Sequence, residues 1–462
     1  MSPSFLRPAH LALFLTLLAT ACDGGGGGAV IVEPPPAIPD SLRLLTDAEL
    51  TTPEDPTAPV ENAAWAEWVA ANHAPLRSLT STDFQDLQFL KPLLAGRRVV
   101  QLGESGHGVR QFTQAKVRLI RFLHEEMGYD VIAFESSLHD CWQTNHALAG
   151  ASSHSAMRDC LFYVWHTEDV LGLMDYVRRT RTTANPLVLA GFDVQPSGRG
   201  QASSLRPALL RSVLVAADSG FSERLHALDA QVTALWDGGQ TAYGAFLSAH
   251  NDSLTRAYAR AEELIVQHRV AIDARFAAEP QRPEVALATV RGMRVFLRQI
   301  AATGEERYSI RDAGMADNVD ALLDELYPGK KVILWGHNSH VANAPVIPTR
   351  INMGTLVHQR RGAEVYTVGL FMYSGSAADN VRTVYPIPLP HPAGSLESLL
   401  YRARRRWVFV DFSTRAEGAG TSWMFQPIAA RSWGVNTETV VPRDFYDGVL
   451  FIHTVTAPPY VQ

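Results

Sequence analysis

Along this chain, apolar runs without alternation give way repeatedly to apolar stripes at helical spacing. RRVVQLG, VIAFE, LVLAG and KVILWG hold mostly apolar residues at consecutive positions. That pattern predicts strands covered on both faces, as in a parallel sheet with helical crossovers. Residues 365–371 and 407–410 are further strand candidates. After the first run, Phe112, Ala115, Leu119, Leu123 and Met127 recur every three to four positions, predicting an amphipathic helix over 111–127. Lys116 falls on the same stripe, so its ammonium must snorkel, pair or serve a site at the helix entrance. Residues 59–94 read as leading helices, with Trp65 and Trp68 on one face as core rather than a ligand box, and 311–327 as a later helix. From 206 to 304 strand signals vanish, and segments such as FSERLHALDAQVTALW read as several helices.

These elements predict an α/β fold: a mostly parallel central sheet flanked by helices, with a large helical insertion capping the cleft. The core then divides into 58–205 and 305–462 around the insertion at 206–304, and no internal repeat is visible. At 462 residues the chain exceeds one ordinary compact core, which fits an inserted subdomain.

The first 57 residues change the picture. Arg7 and His10 precede an apolar run from Leu11 to Leu18, long enough for a signal-peptide core and too short to span a bilayer. Ala19-Thr20-Ala21-Cys22 then resembles a lipobox, in which Cys22 would be lipidated; ordinary cleavage after Ala21 is the alternative. Gly24 to Gly28 and Pro34 to Pro36 form a tether over 23–57. The expectation is an exported protein that meets a membrane only through a lipid anchor. Cys141 and Cys160 remain, and in an oxidising compartment they could bridge, closing a loop worth about 3 kcal/mol in the chain-entropy model. Free buried thiols are the alternative, and no CxxC spacing suggests a metal site. The formal net charge of −6 gives no electrostatic basis for nucleic-acid binding. A local basic run, Arg402 and Arg404 to Arg406, reads as a solvated helix end.

Chemistry gathers where strands end. Four loops open with an acid or a histidine: GESGHG carries Glu104 and His107, Glu135 ends VIAFE, Asp193 ends LVLAGFD, and His337 and His340 follow KVILWG. In an open α/β sheet, ligands bind outside the carboxyl ends of the strands, so these residues are expected to share one crevice. A carboxylate three residues from an imidazole, framed by glycines, can set its tautomer and raise its basicity, as a general base acting on water requires. Glu135 at the end of an apolar strand needs a partner or caps the next helix. Asp193 is equally a turn cap. In His337-Asn338-Ser339-His340 one imidazole, His337, should face the site, Asn338 could donate to it, and His340 orients it or packs. Ser105 fails the nucleophile-elbow signature G-x-S-x-G, because His107 stands at its last position. Glu104, His107, Glu135, His337 and His340 could ligate a divalent ion, although no pair of histidines at zincin spacing is present. Phosphate binding by GESGHG lacks the P-loop lysine.

Five blocks, LGESGHGVRQFTQAKVRLIRFLHEEMGYDVIAFE, GFDVQ, RDAGMADNV, VILWGHNSHVAN and MGTLVHQRRGAEVYTVGLFMYSGS, occur in this order over residues 96–453. In combination they resemble the erythromycin esterase family. The resemblance implies hydrolysis of a macrolide lactone ester by histidine-activated water, with no required metal and no other cofactor. By motif, Glu104 and His107 match the family's acid and base, Glu135 its second-strand glutamate, and His337 the histidine of its H-N-x-H block. The helix position commonly arginine in the family is Lys116 here, which keeps charge and loses the planar fork. Gln111 stands where glutamate is frequent.

The resulting expectation is a hydrolase of a small-molecule ester or lactone. His107, oriented by Glu104 or Glu135, would deprotonate water, and His337 with Lys116 or backbone N–H groups would hold the oxyanion and protonate the leaving alkoxide. Lys116, His340, Asn338 and Asp193 are the expected substrate-binding residues. A metal-dependent hydrolase or protease on the same cluster, and a non-catalytic surface-binding lipoprotein, are the rival classes.

Overall fold

The computed structural model describes residues 42–238 and 240–461. The leader, Cys22 and most of the tether lie outside the described residues. Eleven strands are present among them: β1 (Ala74–Pro75), β2 (Val99–Leu102), β3 (Val131–Ser137), β4 (Val188–Asp193), β5 (Val332–Trp335), β6 (Val365–Ala378), β7 (Val384–Pro386), β8 (Trp407–Asp411), β9 (Ile428–Ser432), β10 (Asn436–Val440) and β11 (Gly448–Val455). The main sheet runs β1-β8-β11-β6-β2-β5-β3-β4, with β7 paired to the far end of β6. From β11 to β4 all neighbours are parallel, while β8 and β1 close one edge antiparallel. The mostly parallel α/β sheet flanked by helices is therefore the architecture found.

The unbroken apolar runs hide a period of two. Val100, Leu102, Ile132, Phe134, Ile333 and Trp335 point into one core with the helix Arg110–Met127. Val99, Val131, Ala133, Val332 and Leu334 point into the other, with the helices that follow β4. Side chains alternate faces along a strand, so burial on both sides makes every position apolar.

Helix Arg110–Met127 buries Phe112, Ala115, Leu119 and Leu123 and ends on Gly128, whose left-handed φ of 67° lets its N–H reach the Leu123 carbonyl. Between β4 and β5 the chain is helical, including Arg206–Leu214, Asn251–Gln267 and Gln281–Ala301, before Glu306–Ala321 and a π-helical turn, Leu322–Leu326, return it to the sheet. The leader-side helices are fewer than the sequence suggests. Only Ala63–Ala71 is a helix of length, because hydroxyls such as Ser78 and the carboxylate of Asp83 bond nearby backbone N–H groups and favour turns. Trp65 and Trp68 pack, partly buried, against a third core built by β8, β11 and the helix Leu396–Tyr401, as core residues should. The basic run does follow a helix end, with Arg402 capping Leu396–Tyr401, but it is only partly solvated: Arg402, Arg404 and Arg405 bind Pro59, Thr52 and Thr51, pinning the N-terminal segment beside β8. Strand β11 and the β9–β10 hairpin were not legible in the pattern, and both matter below. Cys141 and Cys160 form a disulfide joining helices Leu138–Ala147 and Ser153–Cys160.

Candidate active site

The loop after β2 keeps extending the sheet, since Gly103 N–H and Ser105 N–H donate to the Val368 and Leu370 carbonyls of β6. It also runs through very close quarters. A Cβ on Gly103 would meet Asn338 Oδ1 at 2.1 Å, and one on Gly108 would meet the Ala378 carbonyl oxygen at 2.2 Å, so both positions require glycine.

This path buries Glu104 completely. Its Oε1 accepts from His107 Nδ1 at 2.7 Å and from Trp165 Nε1 at 2.9 Å, and its Oε2 from Lys116 Nζ at 2.8 Å. Burial pushes the carboxyl upward, but the Lys116 ammonium and His107 outweigh it and hold Glu104 below its ordinary value. Burial in turn pulls the Lys116 ammonium down to about 8, with Glu104 resisting. Lys116 also donates to the Gly336 carbonyl at 3.2 Å and lies 4.5 Å over the Trp335 ring.

The two imidazoles meet edge to face, centroids 5.1 Å apart. Bonding to the Glu104 carboxylate assigns the His107 proton to Nδ1 and leaves Nε2 with a lone pair. His337 has the opposite tautomer. It caps the short helix Asn338–Val341 by accepting the Ser339 N–H on Nδ1 at 3.1 Å, so its proton sits on Nε2. That Nε2 is buried and has no protein partner among the described residues. Burial, reinforced by His107, keeps His337 well below its ordinary pKa and hence neutral, although Glu135 pulls the other way.

Behind His337, Glu135 accepts the His337 backbone N–H on Oε2 at 2.9 Å and Arg311 Nη2 on Oε1 at 2.9 Å. Burial alone would raise this carboxyl; His340 and Arg311 overcome it and hold it far below its usual range. Arg311 also forks onto Asp193, and His340 bridges from Arg311 Nη1 at 3.2 Å to Asp312 Oδ1 at 2.6 Å. Every acid and histidine singled out at a strand end thus lies in one connected network.

Four expected substrate contacts are placed otherwise. Lys116 is wholly buried behind Glu104 and does not reach the cleft. Asn338 spends its amide on the Leu370 backbone, clasping β6 to the β5 loop. Asp193 holds Arg311 and the Gln195 N–H, and His340 is committed to Asp312 and Arg311. Each already has the protein partners that a substrate would need to displace. Ser105 Oγ is buried with no partner, His107 included, which agrees with the failed elbow signature. Among the described residues no metal-ligating group of three or more His, Cys, Asp or Glu side chains is present.

Sequence reasoning missed Trp165, Arg311, Asp312 and Trp433. Arg311 and Asp312 head the RDAGMADNV block, but the helix Glu306–Ala321 carries other charges, such as Arg307, Asp317 and Asp320, so block membership was the only signal that set these two apart. Trp433 had none. It sits at the tip of the β9–β10 hairpin, stacked on His337 (5.4 Å, 25°) and edge-on to His107 (5.2 Å, 82°). The ring over both imidazoles thus comes from this hairpin and not from the helical insertion.

The family model for erythromycin esterase matches residues 124–455, most of the chain. The chain belongs to the erythromycin esterase family. This family hydrolase is 33% identical over 418 residues to YbfO of Bacillus subtilis (strain 168), which bears the name of a candidate hydrolase, covering 86% of this chain and 92% of that one. It is 23% identical to the type II erythromycin esterase of Escherichia coli, over 68% of this chain and 78% of that protein. Its fold matches that of a mutant of the erythromycin esterase EreC in an open conformation, with a TM-score of 0.61, 18% identity, and coverage of 82% and 96%. The segment matched by the family model holds Glu135, Arg311, His337 and Trp433; Glu104, His107 and Lys116 precede it.

Proposed function

We propose that this hydrolase cleaves a carboxylic ester or lactone by direct attack of water. The observation that carries the reading is the complementary state of two neighbouring imidazoles, their centroids 5.1 Å apart: a lone pair on Nε2 of His107, whose side chain keeps some exposure, and an unsatisfied Nε2–H on buried His337. His107 takes a proton from water as the water oxygen bonds to the acyl carbon. The Glu104 carboxylate, kept ionised by Lys116, stabilises the imidazolium that forms. His337 Nε2–H donates to the carbonyl oxygen as it becomes an oxyanion, from a site where little water competes. The tetrahedral intermediate then expels the alkoxide, which takes the proton held by His107. Glu135 and Arg311 act at one remove, by fixing the backbone of His337.

The names of the relatives support trying macrolide lactones as substrates, and antibiotic inactivation is the biological role that such cleavage would serve. The Cys141–Cys160 bridge supports work outside the cytoplasm, where disulfides persist, and with it the tether through Cys22. The test is a screen of esters and lactones, macrolides included, with the full chain, read by mass spectrometry as the gain of one water. Wild type should convert members of the panel and His107→Ala none, with unchanged circular dichroism. Retained turnover in the variant would reject His107 as the base.

A further inference from the structure

Trp433 has a backbone φ of 58°, a left-handed conformation that a bulky residue rarely adopts. It is held there from two sides. Its N–H donates to the Ser105 carbonyl, inside the loop that carries Glu104 and His107, at 2.5 Å. Its own carbonyl accepts the Tyr385 hydroxyl of β7 at 2.9 Å. Strain of this kind persists where the surroundings over-determine it, and it clusters at functional sites. What it achieves here is the seating of the indole against His337 and His107.

Trp433 belongs to a second feature as well. Together with Tyr385, Val381 and Val435 it lines an open groove of about 410 Å³, whose lining Asp379, Asn380 and Asn436 complete. Val381 is 72% and Val435 39% exposed, so the groove presents apolar surface to water next to the reacting imidazoles. One oxygen of the Asp379 carboxylate is taken, since Oδ1 accepts the N–H groups of Val381 and Thr383. A neutral, apolar occupant suits this lining better than a charged one.

We propose that this groove is the subsite for one arm of the substrate, a bulky neutral cyclic or branched hydrocarbon group, with Trp433 as the platform joining that arm to the reacting ester. The proposal rests on the reading of the site as an ester hydrolase. It assigns selectivity to β7 and the β9–β10 hairpin, not to the helical insertion.

The test compares methyl acetate with cyclohexyl acetate and methyl cyclohexanecarboxylate, using full-length wild type, Val381→Asp, Val435→Asp and, as a distant control, Val60→Asp, which is 93% exposed in the N-terminal segment. Wild type should prefer one of the cyclohexyl esters to methyl acetate in kcat/KM. Each groove variant should cut that preference by about tenfold, chiefly through KM, the scale on which apolar pockets discriminate, whereas Val60→Asp should leave it unchanged. A wild type without preference, or groove variants that behave like the control, would overturn the proposal. If wild type cleaves none of the three, the wider ester and lactone screen decides the ester reading, and the groove is judged on binding. Calorimetric titration with N-cyclohexylacetamide and N-methylcyclohexanecarboxamide then decides the groove: binding that the two groove variants weaken supports it, and binding that is absent or unaltered rejects it.

Discussion

Lys116 Nζ lies 2.8 Å from Glu104 Oε2 with both side chains fully excluded from solvent. Two opposite charges taken out of water are tolerated only as a pair, so each sets the state of the other. Lys116→Met should therefore destabilise the fold by about 3–5 kcal/mol, the usual cost of orphaning one member of a buried pair. With the ammonium gone, burial dominates and the Glu104 carboxyl rises. The acid limb of the kcat/KM profile should move to higher pH in this variant. Denaturant melts and a pH profile read both effects, and an unmoved acid limb would show that Lys116 does not govern Glu104.

His337→Ala removes the unsatisfied Nε2–H. If that group holds the oxyanion, kcat should fall by about 10²–10³ with KM little changed. A rise in KM at constant kcat would instead mark His337 as a ground-state contact.

Glu135→Gln should keep the acceptor for the His337 N–H but lose the charge that faces Arg311. The wild-type carboxyl is depressed in the fold, so its contribution to stability is present above the unfolded value and lost as pH falls toward the folded one. The wild type should accordingly melt at higher temperature than Glu135→Gln near neutrality, with the gap closing as pH drops below about 4. A gap that persists in acid would mean that packing, not charge, separates the two proteins.

Glu397 behaves in the opposite sense. It is fully buried, its Oε1 accepts the Arg431 N–H at 2.7 Å, its Oε2 has no hydrogen-bond partner among the described residues and only His391 Nδ1 at 4.0 Å, and burial pushes its pKa up to about 8. Below the unfolded value both states hold the proton and stability is unaffected. As pH rises from there to about 8, the unfolded chain releases that proton and the fold does not, so stability falls. Glu397→Gln should raise the melting temperature by an increment that grows between pH 5 and 8, worth a few kcal/mol at the upper end on the order set by the shift. A variant that tracks wild type across this range would show that Glu397 is ionised without penalty.

The Cys141–Cys160 bridge constrains the unfolded chain around a short loop. Reduction, or Cys141→Ser with Cys160→Ser, should cost about 3 kcal/mol, and reductant should then have no further effect on the double variant. Equal melting of the oxidised and reduced wild type would argue against that contribution.

Much of the site was legible because its members are short-range in sequence. Glu104 and His107 share one loop, His337 and His340 another, and glycines flag the tight turns between strand and helix. The parallel strands were legible for a related reason, since burial on both faces writes itself as an uninterrupted apolar run. The apolar run of β11, Val449 to Ile452, is of the same kind and went unread, whereas the β9–β10 hairpin escaped because a partly exposed two-stranded ribbon carries little apolar signal. Lys116 was recognised as anomalous on its stripe, yet whether it reached outward to a substrate or inward to Glu104 depends on a rotamer and a neighbour, neither of which is local.

By itself the sequence determined the family, the parallel α/β sheet and the strand-end acids and histidines, because periodicity, glycine placement and motif order are properties of neighbouring residues. Only the tertiary structure decided which groups face the cleft. The tautomers of His107 and His337 are set by Glu104 and Ser339, Arg311 ties Glu135 to Asp193, and Trp433 arrives from a hairpin far along the chain. Hydrogen bonds and ring contacts form between atoms within a few ångströms in space, and a linear order of residues does not contain those distances.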